Sequence, residues 1–283
     1  MTFGDRLKNA MEDRGRFCAG IDPHPELLDA WGLTDSVNGL EKFALTAVEA
    51  LAGTVAVVKP QSAFFERFGS RGVAVLEKVV EGCRERGCLV LLDVKRGDIG
   101  STAQGYADAY LDRNSPLFVD AITVSPYLGI GSVDPMIDTA LANDAGVFVL
   151  ALTSNPEGAQ VQHAVTADGR SIGGLVLDAV ATRNAGVEGL GSIGAVVGAT
   201  IELPSDLGQG SLDVNGPLLV PGIGAQGGTL DDVRRIFGDA VRNVLPTSSR
   251  EVLGAGPDKV ALHDAAVAAI ETFAALDATT NAG

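Results

Sequence analysis

The chain has 283 residues, of which 46% are hydrophobic, and this length and composition argue for an ample core and against disorder. Its formal net charge of −15 argues against a general nucleic-acid binder, because a phosphate backbone is held by basic surfaces. The first residues show no signal-peptide pattern, and no segment approaches the roughly 18 apolar residues of a membrane span. We therefore expect a cytoplasmic protein with neither a membrane nor a nucleic-acid partner.

Three cysteines provide a second indication of the compartment. Cys18, Cys83 and Cys88 are odd in number and show no CxxC spacing. This pattern favours buried, reduced thiols over disulfides or a zinc site.

Eight apolar runs recur along the chain, and each ends in polar or special residues. Continuous rather than alternating runs are typical of parallel strands covered on both faces. Helical stretches separate many of them, so the sequence predicts a (β/α)₈ TIM barrel as one domain over 1–283, with a short N-terminal helix and a frayed tail at 277–283. The runs are 17–22, 55–60, 88–95, 121–126, 146–154, 194–200, 217–224 and 241–249.

An open, doubly wound sheet is the competing architecture. The segment Gly222-Ile-Gly-Ala-Gln-Gly227 is a literal GxGxxG between a predicted strand and a predicted helix. The dinucleotide motif normally opens its domain and is followed by an acidic residue about 20 positions on. Here the next strand ends in Thr-Ser-Ser-Arg, so the segment is interpreted as a phosphate loop instead.

Charged residues follow two consecutive predicted strands. Lys59 ends the second, Asp93 and Lys95 end the third, and Asp98 lies in the loop beyond. Residues two apart on a strand share a face, and active sites of barrels form at the carboxyl ends of the strands. These four residues, the charged array, are expected to surround the barrel mouth, with the carboxylates holding Lys95 charged and fixed in direction as a proton donor. Arg96 points to the opposite side, and for it we expect only an ordinary ion pair at the strand end, with a solvated charge.

Further candidates follow other strands. Asp22 could accept hydrogen bonds from a sugar or cap the next element, and Ser154 could bind a polar ring edge or end its strand. Gln226 and Arg250 follow strands seven and eight, where barrels commonly bind phosphate, although Arg250 could instead pair with Glu251. Three histidines show no ligand spacing and are expected at the surface or in loops: His24, His163 and His263. The segment 153–171 is the longest candidate functional loop.

The segment Asp-Val-Lys-Arg-Gly-Asp at 93–98 resembles the D-x-K-x-x-D signature of orotidine 5′-phosphate decarboxylases. The segments "FCAGIDPHP", "VAVVKPQSAFFE", "LTSNPEGAQ", "PGIGAQGG" and "TSSR" are similar to other segments of that family in the same order. The likeness covers residues 15 to 255 and is closest to the longer bacterial branch. D-x-K-x-x-D alone occurs in a wider superfamily of barrels, whereas the combination is specific.

The resemblance implies a role for each candidate. Lys95 would protonate C6 of the pyrimidine, Asp93 would face the departing carboxylate, and Lys59 and Asp98 would complete the array. Asp98 and Thr102 would reach into the site of the partner subunit in a homodimer. The resemblance further implies that Asp22 binds ribose, that Ser154 binds the pyrimidine amide, and that Gln226 and Arg250 bind phosphate. It implies no metal and no other cofactor, because the C6 carbanion cannot be delocalised and a preorganised ammonium is the remaining device.

Two other functions remain as alternatives. A sister decarboxylase or aldolase would act on a sugar phosphate through Mg²⁺, but it needs an acidic ligand where this chain has Lys59. A catalytically silent barrel that binds a phosphate ligand would be indicated by loss of a member of the array, and none is missing.

Overall fold

The structure is a computed structural model that describes residues 1–224 and 227–276. Its eight parallel strands form a closed barrel, in which each strand pairs with the next and the eighth pairs with the first. The predicted (β/α)₈ barrel is confirmed, and the open doubly wound sheet is wrong. The strands are β1 (Cys18–Ile21), β2 (Val57–Pro60), β3 (Leu89–Arg96), β4 (Ala121–Val124), β5 (Gly146–Leu152), β6 (Ile193–Val197), β7 (Leu218–Pro221) and β8 (Val244–Ser248).

The helices lie in the segments between the strands and at both ends of the described chain. Side-chain caps fix several of their starts: Ser36 Oγ accepts the N–H of Gly39, and Asp258 accepts two N–H groups of the last helix. The helices are α1 (Phe3–Arg14), α2 (Pro25–Ala30), α3 (Val37–Leu51), α4 (Ser62–Glu66), α5 (Ser70–Glu85), α6 (Gly100–Leu111), α7 (Asp134–Ala142), α8 (Ala159–Gln162), α9 (Ile172–Arg183), α10 (Leu230–Phe237), α11 (Arg250–Leu253) and α12 (Lys259–Ala274).

The strands separate two apolar regions, as expected when both faces are covered. Alternate strand residues such as Val58 and Ile122 pack outward against the helices, whereas Val57 and Ala121 pack in the barrel interior. The interior-facing set is Cys18, Val57, Leu89, Leu91, Ala121, Phe148, Val196, Leu219 and Leu245. Because side chains alternate, Lys59 follows Val57 and Asp93 follows Leu91 on the interior face.

Helix α1 closes the amino-terminal end of the barrel. Phe3 is buried and meets the ring of Phe148 edge-on, with ring centroids 6.1 Å apart. Gly146 at the start of β5 makes room for it, since a Cβ there would collide with the Phe3 ring. Side chains therefore fill the amino-terminal end of the barrel interior, and the cavity lies at the carboxyl end.

Among the residues that the structure describes, no helix is long and apolar enough to span a membrane. All three cysteines are buried and free, in agreement with the prediction of reduced thiols. Burial raises the pKa of the Cys18 thiol to about 12, so this interior cysteine is a neutral packing group. The predicted tail at 277–283 lies outside the described residues.

Candidate active site

A cavity of about 860 Å³ opens at the carboxyl end of the barrel. This volume is in the range of sites for small ligands. Its floor is the uppermost layer of interior-facing strand residues, and its walls are the loops that follow the strands. The floor includes Lys59, Asp93, Thr123, Leu150, Val196, Leu219 and Thr247.

The carboxylate of Asp93 is the centre of the polar floor. Its Oδ2 accepts from Lys59 Nζ at 3.4 Å and from Gln61 Nε2 at 3.1 Å. Its Oδ1 accepts from Lys95 Nζ at 2.6 Å and from Thr123 Oγ1 at 2.7 Å. Four donors thus fix one carboxylate, which leaves it little freedom to rotate.

Burial and charge act in opposite directions on this cluster. Burial raises the pKa of Asp93, but Lys59 and Lys95 outweigh it and lower that pKa to about 2. Burial lowers the pKa of Lys59, but the carboxylates of Asp22 and Asp93 outweigh it and hold that pKa above its ordinary value. At neutral pH the floor therefore holds an ionised carboxylate beside a buried ammonium.

The two lysines differ in access to the cavity. The side chain of Lys59 is 9% exposed, whereas that of Lys95 is 46% exposed. Lys95 can therefore present its ammonium to a ligand above the floor, whereas Lys59 contributes a largely buried ammonium to the floor itself.

Arg96 forms the ordinary ion pair expected at the strand end, but its charge is only partly open to solvent. It does lie opposite Lys95, where its guanidinium binds Glu66 of α4 at 2.5 Å and lies 5.5 Å from the ring centroid of Tyr106 on α6. The side chain is 30% exposed because α4 and α6 cover it. Arg96 joins the strand to its covering helices and does not line the cavity.

Asp22 and Ser249 directly follow the neighbouring strands β1 and β8 and line the cavity. Asp22 Oδ1 and Ser249 Oγ are buried, and neither has a hydrogen-bond partner among the described residues. Buried polar atoms without partners are uncommon, so these two atoms are candidate contacts for a polar ligand. The sugar-binding role of Asp22 stays a prediction, and Ser249 is a candidate that the sequence did not single out.

Arg250 lies at the rim of the cavity, at the start of α11. Its suggested partner Glu251 instead accepts from Ser248 Oγ at 2.9 Å, and no ion pair of Arg250 is found among the described residues. The guanidinium is exposed and accessible to an anion. Gln226, the other predicted phosphate residue, lies outside the described residues.

Three glycines on either side of positions 225 and 226 have backbone conformations that other residues rarely adopt. Gly222, Gly224 and Gly227 all have φ between +75° and +95°, a region that disfavours residues with a side chain. A Cβ on Gly224 would collide with the Glu251 carboxylate, so Gly224 packs closely against the start of α11. Gly224, which belongs to the predicted phosphate segment, therefore lies close to the helix that begins at Arg250.

His24 also lines the cavity, although the sequence predicts only a surface or loop histidine. Its ring meets Phe64 with the centroids 4.2 Å apart. Burial and the nearby Arg250 lower its pKa. Its position two residues after Asp22 in the same loop was the signal that could have identified it.

Ser154 lines the cavity at the start of the long loop 153–171. The side chain of Gln162 pins this start, since it accepts the Thr153 N–H at 2.8 Å and donates to Thr153 Oγ1 at 2.7 Å. At the far end of the loop, Asp206 accepts from the N–H of Ser171 at 2.9 Å. The 201–216 segment therefore anchors the loop that forms one wall of the cavity.

Asp98 and Thr102 do not line the cavity of their own chain. Asp98 Oδ1 accepts the N–H of Ile99 at 2.8 Å, and Thr102 is exposed on α6. The structure therefore brings together three of the four members of the charged array, and Asp98 is separate within one chain.

Sequence reasoning missed two of the donors to Asp93, Gln61 and Thr123. Gln61 lies two residues beyond Lys59, and the same alternation that placed Asp93 beside Lys59 would have indicated it. Thr123 is the one hydroxyl residue within the run Ala-Ile-Thr-Val of β4, next to β3. For Thr123 the signal is a lone polar residue near the carboxyl end of an apolar strand.

Comparisons with known proteins agree with this geometry. A profile of the orotidine 5′-phosphate decarboxylase / HUMPS family matches residues 15–265. The orotidine 5′-phosphate decarboxylases of Salinispora tropica and Streptomyces coelicolor are 63% and 61% identical, over 94% and 93% of this chain and 94% of each relative. A crystal structure from Streptomyces avermitilis assigned to the same enzyme has a TM-score of 0.94 at 59% identity, over 98% of this chain and 96% of the other. Leishmania donovani OMP decarboxylase has a TM-score of 0.74 at 29% identity, over 98% and 99%.

A closed barrel with a buried ionic cluster at its mouth and an accessible arginine at its rim is the architecture of a barrel enzyme for a small anionic ligand. The family match then identifies which family of barrel enzymes this is. The chain belongs to the orotidine 5′-phosphate decarboxylase / HUMPS family.

Proposed function

We propose that this chain decarboxylates orotidine 5′-phosphate to UMP without a metal or other cofactor. The observation that carries the proposal is the placement of Lys59, Asp93 and Lys95 in one hydrogen-bonded cluster on the cavity floor. Its relatives at 61–63% identity, named for this activity, support the same conclusion.

The reaction needs a positive charge that is already positioned beside C6 of the substrate. When the bond between C6 and the carboxylate breaks, CO₂ leaves and the electron pair stays on C6 in an orbital that the ring cannot delocalise. The half-exposed ammonium of Lys95 stabilises this pair and transfers one N–H proton to it. Asp93 keeps the ammonium fixed and faces the substrate carboxylate, and buried Lys59 keeps Asp93 ionised.

The rest of the cavity binds the parts of the substrate that do not react. Asp22 accepts hydrogen bonds from the ribose, Ser154 contacts the pyrimidine amide, and Arg250 with Gln226 binds the phosphate. Arginine suits a phosphate because its planar fork gives two parallel hydrogen bonds. Binding energy from the phosphate is then available to hold the substrate carboxylate against Asp93.

We further propose a homodimer with shared active sites, in which Asp98 and Thr102 complete the site of the partner. Their position outside their own cavity supports this. Three large apolar side chains in the same region also support it, because exposed apolar groups of this size are typical of covered surfaces. Ile99, Tyr127 and Leu128 are 62%, 78% and 55% exposed, in the loops after β3 and β4.

We also propose that the chain acts as one domain in the cytoplasm. The barrel uses all eight strands for one cavity, and three buried free thiols are typical of a reducing compartment.

The alternatives are disfavoured by specific residues. A Mg²⁺-dependent sugar-phosphate enzyme needs an acidic ligand at the end of β2, where Lys59 makes an ion pair with Asp93. A silent binding barrel would not need a buried ionic cluster, which is costly to desolvate.

The test is a spectrophotometric assay of the purified chain with orotidine 5′-phosphate, with and without exhaustive chelation by EDTA. We expect loss of substrate with an equal yield of UMP and CO₂, unchanged by EDTA. An absence of turnover would overturn the proposal. Activity abolished by EDTA and restored by Mg²⁺ would favour the sister enzyme.

A further inference from the structure

The hydroxyl group of Thr123 connects the carboxylate of Asp93 to the backbone of Lys95. Thr123 Oγ1 donates to Asp93 Oδ1 at 2.7 Å and accepts the backbone N–H of Lys95 at 3.0 Å. Thr123 is 1% exposed, so its hydroxyl has little contact with bulk water. One buried oxygen therefore satisfies two groups of the charged array.

The backbone at this point departs from a regular strand. Leu92 pairs with Ile122 and Arg96 pairs with Val124, so three residues of β3 stand opposite Thr123 alone. Lys95 has φ of +45°, in the left-handed region that residues with a side chain rarely adopt. Bulges of this kind re-aim side chains near active sites, and such a backbone persists only where its surroundings hold it.

The contacts form a closed ring. Lys95 Nζ donates to Asp93 Oδ1 at 2.6 Å, Thr123 donates to the same oxygen, and the N–H of Lys95 returns to Thr123. Lys95 is thus held at its ammonium by Asp93 and at its backbone N–H by Thr123. Because the bulge removes the regular ladder partner of this N–H, the hydroxyl is what replaces it.

We propose that Thr123 is a positioning residue that aims the Lys95 ammonium at the reacting carbon. The inference rests on the proposed decarboxylase activity and acts through Asp93 and Lys95. Without the hydroxyl, the Lys95 N–H loses its acceptor and Asp93 Oδ1 loses one of two donors, so the strained backbone can relax. A misplacement of about 1 Å can cost roughly 100-fold in rate. We expect kcat to fall by about 10- to 100-fold in Thr123→Val.

The test compares three variants with the wild type on orotidine 5′-phosphate. Thr123→Val removes the hydroxyl with little change in shape, and Thr123→Ser keeps it. Thr139→Val is the matched control, since Thr139 Oγ1 also donates once, to Pro135 O at 2.7 Å, and accepts once, from Gln104 Nε2 at 3.1 Å, but on α7 outside the cavity. Each kcat is divided by the number of sites that bind UMP at equilibrium, which counts only folded protein.

We expect Thr123→Val to lose kcat with KM and the Kd for UMP changed by less than about threefold, because the ribose and phosphate contacts stay in place. Thr123→Ser should remain near the wild-type rate, as should Thr139→Val. Equal kcat for Thr123→Val and the wild type would overturn the inference. So would equal losses in Thr123→Val and Thr123→Ser, a loss confined to KM, or a Thr123→Val protein with no UMP-binding sites. A wild type that does not turn over the substrate would instead refute the proposed function.

Discussion

Replacing each lysine of the charged array by methionine should separate their contributions to stability. Lys59 is buried between two carboxylates, Asp22 and Asp93, whereas the Lys95 side chain is 46% exposed. Removing one partner of a buried ion pair typically costs about 3–5 kcal/mol, because the other charge stays buried. The pair of Lys95 with the same carboxylate is open to water at its lysine end, where solvent can replace the lost donor, so its contribution should lie near the range of about 0–1 kcal/mol for exposed pairs.

The remaining contacts of Asp93 reduce the expected cost of about 3–5 kcal/mol for removing Lys59. Lys95, Gln61 and Thr123 still donate to Asp93 when Lys59 is removed. We therefore expect Lys59→Met to lower the free energy of unfolding by about 2–4 kcal/mol and Lys95→Met by less than about 1 kcal/mol. Both variants should lose decarboxylase activity.

Urea denaturation measures this difference. The single tryptophan, Trp31, is 6% exposed, and its Nε1 donates to Leu253 O at 2.9 Å, so its fluorescence reports the loss of the folded barrel. Equal losses of stability in the two variants, or a larger loss in Lys95→Met, would refute the assignment of Lys59 as the buried support of Asp93.

Three further results are expected. Arg250→Ala should reduce kcat/KM with orotidine 5′-phosphate far more than with orotidine, which lacks the phosphate. The control is Arg242→Ala, which removes an exposed arginine paired with Asp213 and should change kcat/KM for neither substrate. Equal losses on both substrates would mean that Arg250 has a structural role. Mixing Lys95→Ala with Asp98→Ala subunits should restore up to about a quarter of the sites, since half of the dimers are mixed and each has one intact site; no activity after verified exchange would contradict shared sites. The pKa of Asp93 is lowered from 3.8 to about 2, so the stabilisation from its carboxylate is complete above its ordinary pKa and is lost as the pH falls through about 2. The difference in unfolding free energy between the wild type and Asp93→Asn should therefore narrow by about 2 kcal/mol below pH 4. A difference that stays constant with pH would contradict this prediction.

The barrel and the core of its candidate site were accessible from the sequence for simple geometric reasons. Eight apolar runs gave eight strands, because a strand buried on both faces needs a continuous run. Lys59 and Asp93 could be placed side by side from strand order and side-chain alternation alone. Both features depend on periodicity and on neighbouring strands, which the sequence contains directly.

Other features depend on contacts that periodicity does not encode. The bulge at 93–95 and the left-handed backbone of Lys95 follow from the register between β3 and β4, and Thr123 matters only because of them. Arg96 was expected in solvent because alternation gives the side of the strand but not the helices α4 and α6 that cover it. His24 lines the cavity because of the path of the loop after β1, which has no periodic signal.

The turnover of Lys95→Ala tests the central claim most directly. The control is Lys78→Ala, because Lys78 is also an exposed lysine, with a side chain 54% accessible, and makes a 2.6 Å ion pair with Glu41 on the outside of the barrel. Activity is measured with orotidine 5′-phosphate, and UMP binding confirms that each protein is folded. A positioned proton donor that also stabilises the developing charge contributes about 10²–10⁴-fold or more, so we expect Lys95→Ala to lose at least that much kcat while Lys78→Ala matches the wild type. A Lys95→Ala protein that keeps a tenth of the wild-type turnover would contradict the account.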